Sequence, residues 1–172
     1  MNGIQSVMVA AILATVSCMA GAQAVVSERT LSLNAAMEMA TVALEACRKE
    51  GYKVTITVLN RAGRTAVVLH DSGANPHTLE NSLRKAYTSL TFRRPSGEFG
   101  KQQQANPPPH AQVLLDKVTT GEGGLPIVSN KEVIGSIGIS GAPGGHRDVA
   151  CAQAGIDKIG RASCRERVFG YV

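Results

Sequence analysis

Strand chemistry in this chain comes in adjacent pairs, and that limits the fold more than any other feature. Val54–Asn60 alternates Val54, Ile56 and Val58 against Thr55, Thr57 and Leu59, and Thr65–His70 resumes the pattern after Arg61-Ala62-Gly63-Arg64. Two short alternating runs joined by a glycine-bearing turn read as a hairpin. The same arrangement recurs at Leu125–Ser129 and Val133–Ser140, joined by Asn130-Lys131-Glu132. Hairpins give antiparallel pairs, so a doubly wound parallel sheet is disfavoured.

Helical periodicity fills the spaces between the hairpins. Ser32 stands as an N-cap before Leu33, Ala36, Met37, Ala40, Leu44 and Cys47, and Arg48-Lys49 followed by Gly51 supply the cationic last turn and its stop. From Pro76 to Thr91 the pattern puts Leu79, Leu83, Ala86, Tyr87 and Leu90 on one inward face and turns Arg84 and Lys85 to solvent. Ser96–Ala105 reads as a short helix, Asn106-Pro107-Pro108-Pro109 as a rigid crossing, and Val113–Val118 as a further turn. Arg147–Ile159 is a closing helix with Val149, Ala152, Ile156 and Ile159 inward. The expected architecture is α/β (α+β): a central antiparallel sheet of about five strands with helices on both faces.

The ends of the chain read differently. Val7–Met19 is apolar or small throughout, and Ala20-Gly21-Ala22 and Ala22-Gln23-Ala24 offer small-x-small cleavage sites. Residues 1–24 are therefore expected to be a secretory signal, which places the mature protein in the periplasm or outside the cell. The apolar stretch is shorter than the roughly 20 residues of a membrane span, so no stable span is expected after signal removal. Ile159–Val168 reads IGRASCRERV, which resembles the translation of a sequencing-library adapter, and residues 160–172 are expected to be a foreign tail. Residues 25–159 form the one domain that remains.

Charge and composition remove one class of function. Of the formal net charge of +5, +2 belongs to the tail, and only 3% of residues are aromatic. Stacking platforms and a basic aromatic stripe are both missing, so nucleic acid is not an expected partner. Cys47 and Cys151 fall on apolar helix faces and are read as two buried free thiols in preference to a bridge, which export would nonetheless permit.

Two segments carry binding chemistry. His77 and Glu80 fall in the first turn of the second helix, with Arg84, Lys85 and Tyr87 further along. Neutral imidazole is a common ligand to metal and haem iron, which makes His77 the candidate metal ligand against the plainer reading of an exposed capping residue. The second is Ser140–Asp148, where Gly144 and Gly145 can expose backbone N–H groups to a small anion, with His146 or Arg147 beside it. No G-x-G-x-x-G, Walker A or G-x-S-x-G pattern is present.

At LSLNAAMEMATVALEACRKEGYKVTITVLNRAGRTAVVLHDSGA, PHTLENSLRKAYTSLTFRRPS, GGLPIV and GSIGISGAPGGHRDVACAQAGIDKI the chain resembles the GlcG/HbpS-like haem-binding proteins. Their domain is also called the haem-degrading domain and recurs as the C-terminal part of PduO-type proteins. The resemblance runs from about Leu31 to Ile159 and implies a profilin-like sandwich, homo-oligomers, and haem as cofactor. It places the macrocycle against the second helix, with His77 or Tyr87 near iron and Lys85, Arg84 or Arg147 near the propionates. It implies haem or iron handling or redox sensing in exported relatives. The alternatives are an enzyme of haem degradation or of small hydroxy-acid metabolism, and a structural oligomeric accessory. The family's E-x-x-E metal pair would begin at Glu80, but its second acid falls on Leu83.

Overall fold

The computed structural model describes residues 27–105 and 111–169. The expected signal segment and the triple proline lie outside the described residues. Helix α1 spans Leu33–Lys49, strands β1 and β2 span Thr55–Asn60 and Thr65–His70, and helices α2 and α3 span His77–Phe92 and Ser96–Ala105. After a 3-10 turn at Ala111–Leu114 come β3, Gly124–Ser129, and β4, Glu132–Ser140, and then α4, Gly145–Phe169. The last helix runs past Ile159 into the segment set aside as foreign.

The four strands form one antiparallel sheet in the order β2-β1-β4-β3. Both hairpins are present, and the second closes on Asn130 and Lys131, both at positive φ (51° and 67°), as a two-residue hairpin turn requires. The two hairpins meet through β1 and β4, Thr55 opposite Ser140 and Asn60 opposite Gly135. The sheet among the described residues thus has one strand fewer than the five expected. Pro126 lies on the edge strand β3, where a missing N–H is tolerated.

The two faces of this sheet have opposite chemistry. One face carries Ile56, Val58, Ile137 and Ile139, packed under Ala36, Met39, Ala40 and Ala43 of α1 and Cys151 and Ala152 of α4, all of them buried. Gly155 lets the two helices touch, since a Cβ there would meet the Met39 carbonyl at 2.6 Å. The other face carries Thr55, Thr57, Ser136 and Gly138 and is covered by α2. Thr55 Oγ1 lies 2.6 Å from Thr78 Oγ1 and 2.7 Å from His70 Nδ1, and Thr57 Oγ1 lies 2.8 Å from Ser82 Oγ. A Cβ at Gly138 would run into the Ser82 carbonyl and the Ala86 amide, so the helix backbone rests almost directly on the strand.

Three side-chain expectations are corrected by this packing. On α2 the buried residues are Thr78, Ser82, Lys85, Ala86, Thr88 and Ser89, whereas Leu79 is exposed and Leu83, Tyr87 and Leu90 are only partly covered. A polar sheet face takes a polar helix face, and burial is inverted relative to the apolar periodicity. On α1, Leu33 and Met37 are likewise exposed, because the helix pair closes on its alanines. Cys47 and Cys151, read as free thiols, form a disulfide with Cα atoms 5.5 Å apart. That separation lies within the bridgeable range, and it arises only because α1 and α4 lie side by side on one face of the sheet.

Candidate functional site

Helix α2 has a cavity at each end, and the residues singled out in the sequence divide between them. His77 and Tyr87 are ten positions apart, about 15 Å along the axis, so they cannot serve the same iron.

At the N-terminal end lies a cleft of about 360 Å³ bounded by the start of α2, the Gly121-Glu122 turn and the loop that enters α4. His77 sits exposed at its rim, and Gly145 and Lys85 also line it. Lys85 is 5% exposed, which corrects its expected orientation towards solvent. Its Nζ donates to the Ile139 carbonyl at 2.9 Å and to Asp148 Oδ2 at 2.7 Å. Asp148, 2% exposed, uses its other oxygen to accept from the Ala142 amide at 3.1 Å. Burial raises the Asp148 pKa, against the attraction of Lys85 and the two hydrogen bonds.

At the C-terminal end lies a larger cavity of about 790 Å³. Tyr87 and Leu90 form its α2 wall, Gly63 and Arg61 come from the first hairpin turn, Lys131 from the second, and Val133 from the start of β4. Arg93, the left-handed C-cap of α2 (φ 54°), stands at its mouth. Arg61 is held between Glu28 and Glu132, each at 3.6 Å. The Tyr87 ring lies 3.8 Å from the position a Cβ on Gly63 would take, and Lys117 Nζ lies 5.6 Å from its centroid.

The remaining candidates lie in neither cavity. Glu80 and Arg84 pair with each other on the surface of α2. Arg147 donates to the Tyr52 hydroxyl at 3.1 Å and stacks over that ring, at the edge of the α1/α4 layer. His146 is exposed, and its ring packs beside Gly144, which needs its positive φ of 119° to leave β4 for α4. Arg61, Arg93 and Lys131 were missed by sequence reading. They lie on three separate turns, and the hairpin pairing would have been the signal that gathers Arg61 and Lys131 at one end of the sheet.

An axial oxygen or nitrogen, an apolar wall and cations for two propionates are what a haem pocket needs. The larger cavity supplies Tyr87, the Leu90 and Val133 side chains, and Arg61, Arg93 and Lys131, with Glu28 and Glu132 on the same lining held by Arg61. The residues present fit the group. The smaller cleft has the better-known ligand, His77, but less than half the volume and a polar lining.

Comparison with known proteins bears on the fold and the family. Streptomyces reticuli HbpS, crystallised as a double mutant, is 30% identical, with a TM-score of 0.75 over 81% of this chain and 93% of its own. A Citrobacter freundii protein, the uncharacterized 15.0 kDa protein of the dhaT-dhaS intergenic region, is 28% identical over 114 residues, 65% of this chain and 80% of that one. The PduOC domain, crystallised as a haem complex, shares the fold at 23% identity and a TM-score of 0.69, over 74% of this chain and 94% of its own. Residues 31–157 match the model of the haem degrading HbpS-like proteins, and with its helix-covered antiparallel sheet this chain belongs to that family.

Proposed function

We propose that this is an exported haem-binding protein which holds the macrocycle in the cavity at the C-terminal end of α2, with the Tyr87 hydroxyl as iron ligand. The single observation that carries the reading is the convergence of Tyr87 with Arg61, Arg93 and Lys131 around about 790 Å³ of space. A phenolate is a hard donor suited to ferric iron, and Arg93 and Lys131, which stand apart from the pairing of Arg61 with Glu28 and Glu132, offer two cations to two propionates. Bound haem would supply the redox and oxygen chemistry. The chain's own residues would bind it, orient it through the propionates, and cover one face with Leu90 and Val133. Membership of a haem-degrading family and the fold shared with a domain crystallised with haem both favour this reading.

Two independent features support the export part of the proposal. Val7–Met19 with its small-x-small sites has the form of a signal, and a Cys47–Cys151 disulfide is chemistry of an oxidising compartment. Self-association belongs to the same proposal, and Leu33 and Met37, four positions apart on α1, are large apolar side chains left 60% and 44% exposed.

Hemin titration followed by absorbance tests the binding reading. The wild-type chain is expected to give a saturable Soret shift, Tyr87→Phe to lose at least about ten-fold in affinity, about 1.4 kcal/mol, and His77→Ala to leave it unchanged. Equal affinity in Tyr87→Phe, or loss in His77→Ala alone, moves the haem to the other end of the helix and overturns the assignment.

A further inference from the structure

A sheet edge presents a row of unpaired N–H and C=O groups, and the two edges of this sheet differ. On β3, Pro126 removes a donor. On β2, Thr65–His70 holds neither a proline nor a charged residue. The Asp71 amide donates to the Val54 carbonyl at 3.0 Å, so by alternation Leu69 and Val67 also turn their backbone groups to β1, and Val68 and His70 turn theirs outward. Those outward groups have no partner among the described residues, and the Val68 side chain beside them is 44% exposed. We infer that β2 is the seam of a two-fold dimer, in which the strand pairs antiparallel with β2 of a second copy and α1 packs beside its own copy. The inference rests on the self-association part of the proposed function and is independent of the haem assignment.

Helix α1 supplies the second layer of the seam. Arg48, in its last turn, reaches Asp71, the residue after β2, so α1 runs along β2 and its Arg48 side is the side at the sheet edge. Leu33, Met37 and Leu44 lie on that same side, within about 60° of Arg48 on a helix of 3.6 residues per turn. Helix α4 lies on the other flank, where Gly155 meets Met39 and Ala43. Leu33 and Met37 are thus left bare at the edge where β2 ends the sheet. One axis serves both layers. Placed at Val68, it sets that residue against its copy and Val67 against Leu69 of the second copy, within the stretch where β2 is regular. Val68 lies about 10 Å before Asp71 along the strand, which is about seven helical residues before Arg48, so the same axis crosses α1 near Thr41. There Met37 meets Leu44 of the second copy. No like charges oppose, since β2 is uncharged and Arg48 is already paired with Asp71.

Sedimentation equilibrium of the purified protein, together with amide hydrogen exchange, is the test. The wild-type protein is expected at an even multiple of the chain mass, with the Val68 and His70 amides protected although they face outward from an edge strand. Val68→Lys sets a charge on the axis at the sheet edge, and Met37→Glu sets one on the helix seam. Both positions are exposed in the single chain, so neither variant should disturb folding. Each should raise the dissociation constant of the two-fold contact at least about ten-fold and release the two amides. Val128→Lys, an exposed position on the opposite edge strand, should change neither readout. Wild-type mass and protection kept in both Val68→Lys and Met37→Glu overturn this seam and leave self-association standing. A wild-type monomer whose Val68 and His70 amides exchange freely overturns the seam and self-association together, and leaves the edge to a strand of another protein. Neither readout involves Tyr87, so the haem assignment stands or falls separately.

Discussion

Lys85 Nζ lies 2.7 Å from Asp148 Oδ2, and the two residues, 63 positions apart, join the middle of α2 to the first turn of α4 around the end of the sheet. Both are buried, so each is the other's replacement for water. Removing one partner leaves the other charged and dry, a far larger penalty than the pair's own net worth.

Lys85→Met is accordingly expected to destabilise the fold by about 3–5 kcal/mol, and Lys85→Met/Asp148→Asn to recover at least half of that. Urea unfolding followed by circular dichroism measures both. A double variant no more stable than the single one would mean that the lysine matters for packing and not for pairing.

The Cys47–Cys151 bridge closes a loop of 104 residues between the two helices on the apolar face. Under the loop-entropy account, reduction should lower unfolding free energy by about 2–5 kcal/mol and the midpoint temperature with it. Thermal scans with and without a phosphine reductant measure this, and mass spectrometry of the untreated protein should find no alkylatable thiol at either position.

Asp71 is 3% exposed and takes a two-pronged contact from Arg48, with Nη2–Oδ1 at 2.8 Å and Nε–Oδ2 at 3.1 Å. The Arg48 hydrogen bonds hold its pKa below the ordinary carboxylate value. A lowered folded-state pKa means that the unfolded chain binds the proton more readily, so the contribution is fully present above about pH 4 and drains away as pH falls through the folded value. Asp148 has the opposite sign: with its pKa raised, it favours the fold more as pH falls towards 4. Stability profiles between pH 2 and 6 should therefore fall less steeply on the acid side in Asp71→Asn. A profile identical to wild type would remove Asp71 from the account.

Gly138 is the point where α2 rests on the sheet, and a methyl group there meets the Ser82 carbonyl and the Ala86 amide. Gly138→Ala should destabilise by about 1–3 kcal/mol through overpacking. Because it pushes α2 away from β4, it should also shift the amide resonances of both cavities, whereas a neutral result would show that the helix has room to move.

The hairpins, the helix order and the Ser32 cap, whose Oγ accepts from the Ala35 amide at 3.3 Å, were legible in the sequence, since each depends on neighbours a few residues apart. What periodicity misread was the burial of α2. Leu79, Leu83 and Leu90 make the apolar stripe, yet Thr78, Ser82 and Lys85 lie inward, because the facing strand residues are Thr55, Thr57 and Gly138. The alternation of β1 sets Thr55 and Thr57 on one face, and the register of β1 against β4 adds Ser136 and Gly138 to it. The same holds for the site. His77, Lys85 and Gly145 line one cleft although they were read in two separate segments, and Tyr87 joins Arg61, Arg93 and Lys131 through turns that no local spacing connects.

The central claim is the identity of the iron ligand, and electron paramagnetic resonance of hemin-loaded protein tests it most directly. The wild-type protein and His77→Ala are predicted to show the same rhombic high-spin ferric signal of a phenolate-ligated haem, and Tyr87→Phe to lose it. A low-spin signal that disappears in His77→Ala and persists in Tyr87→Phe would contradict the account.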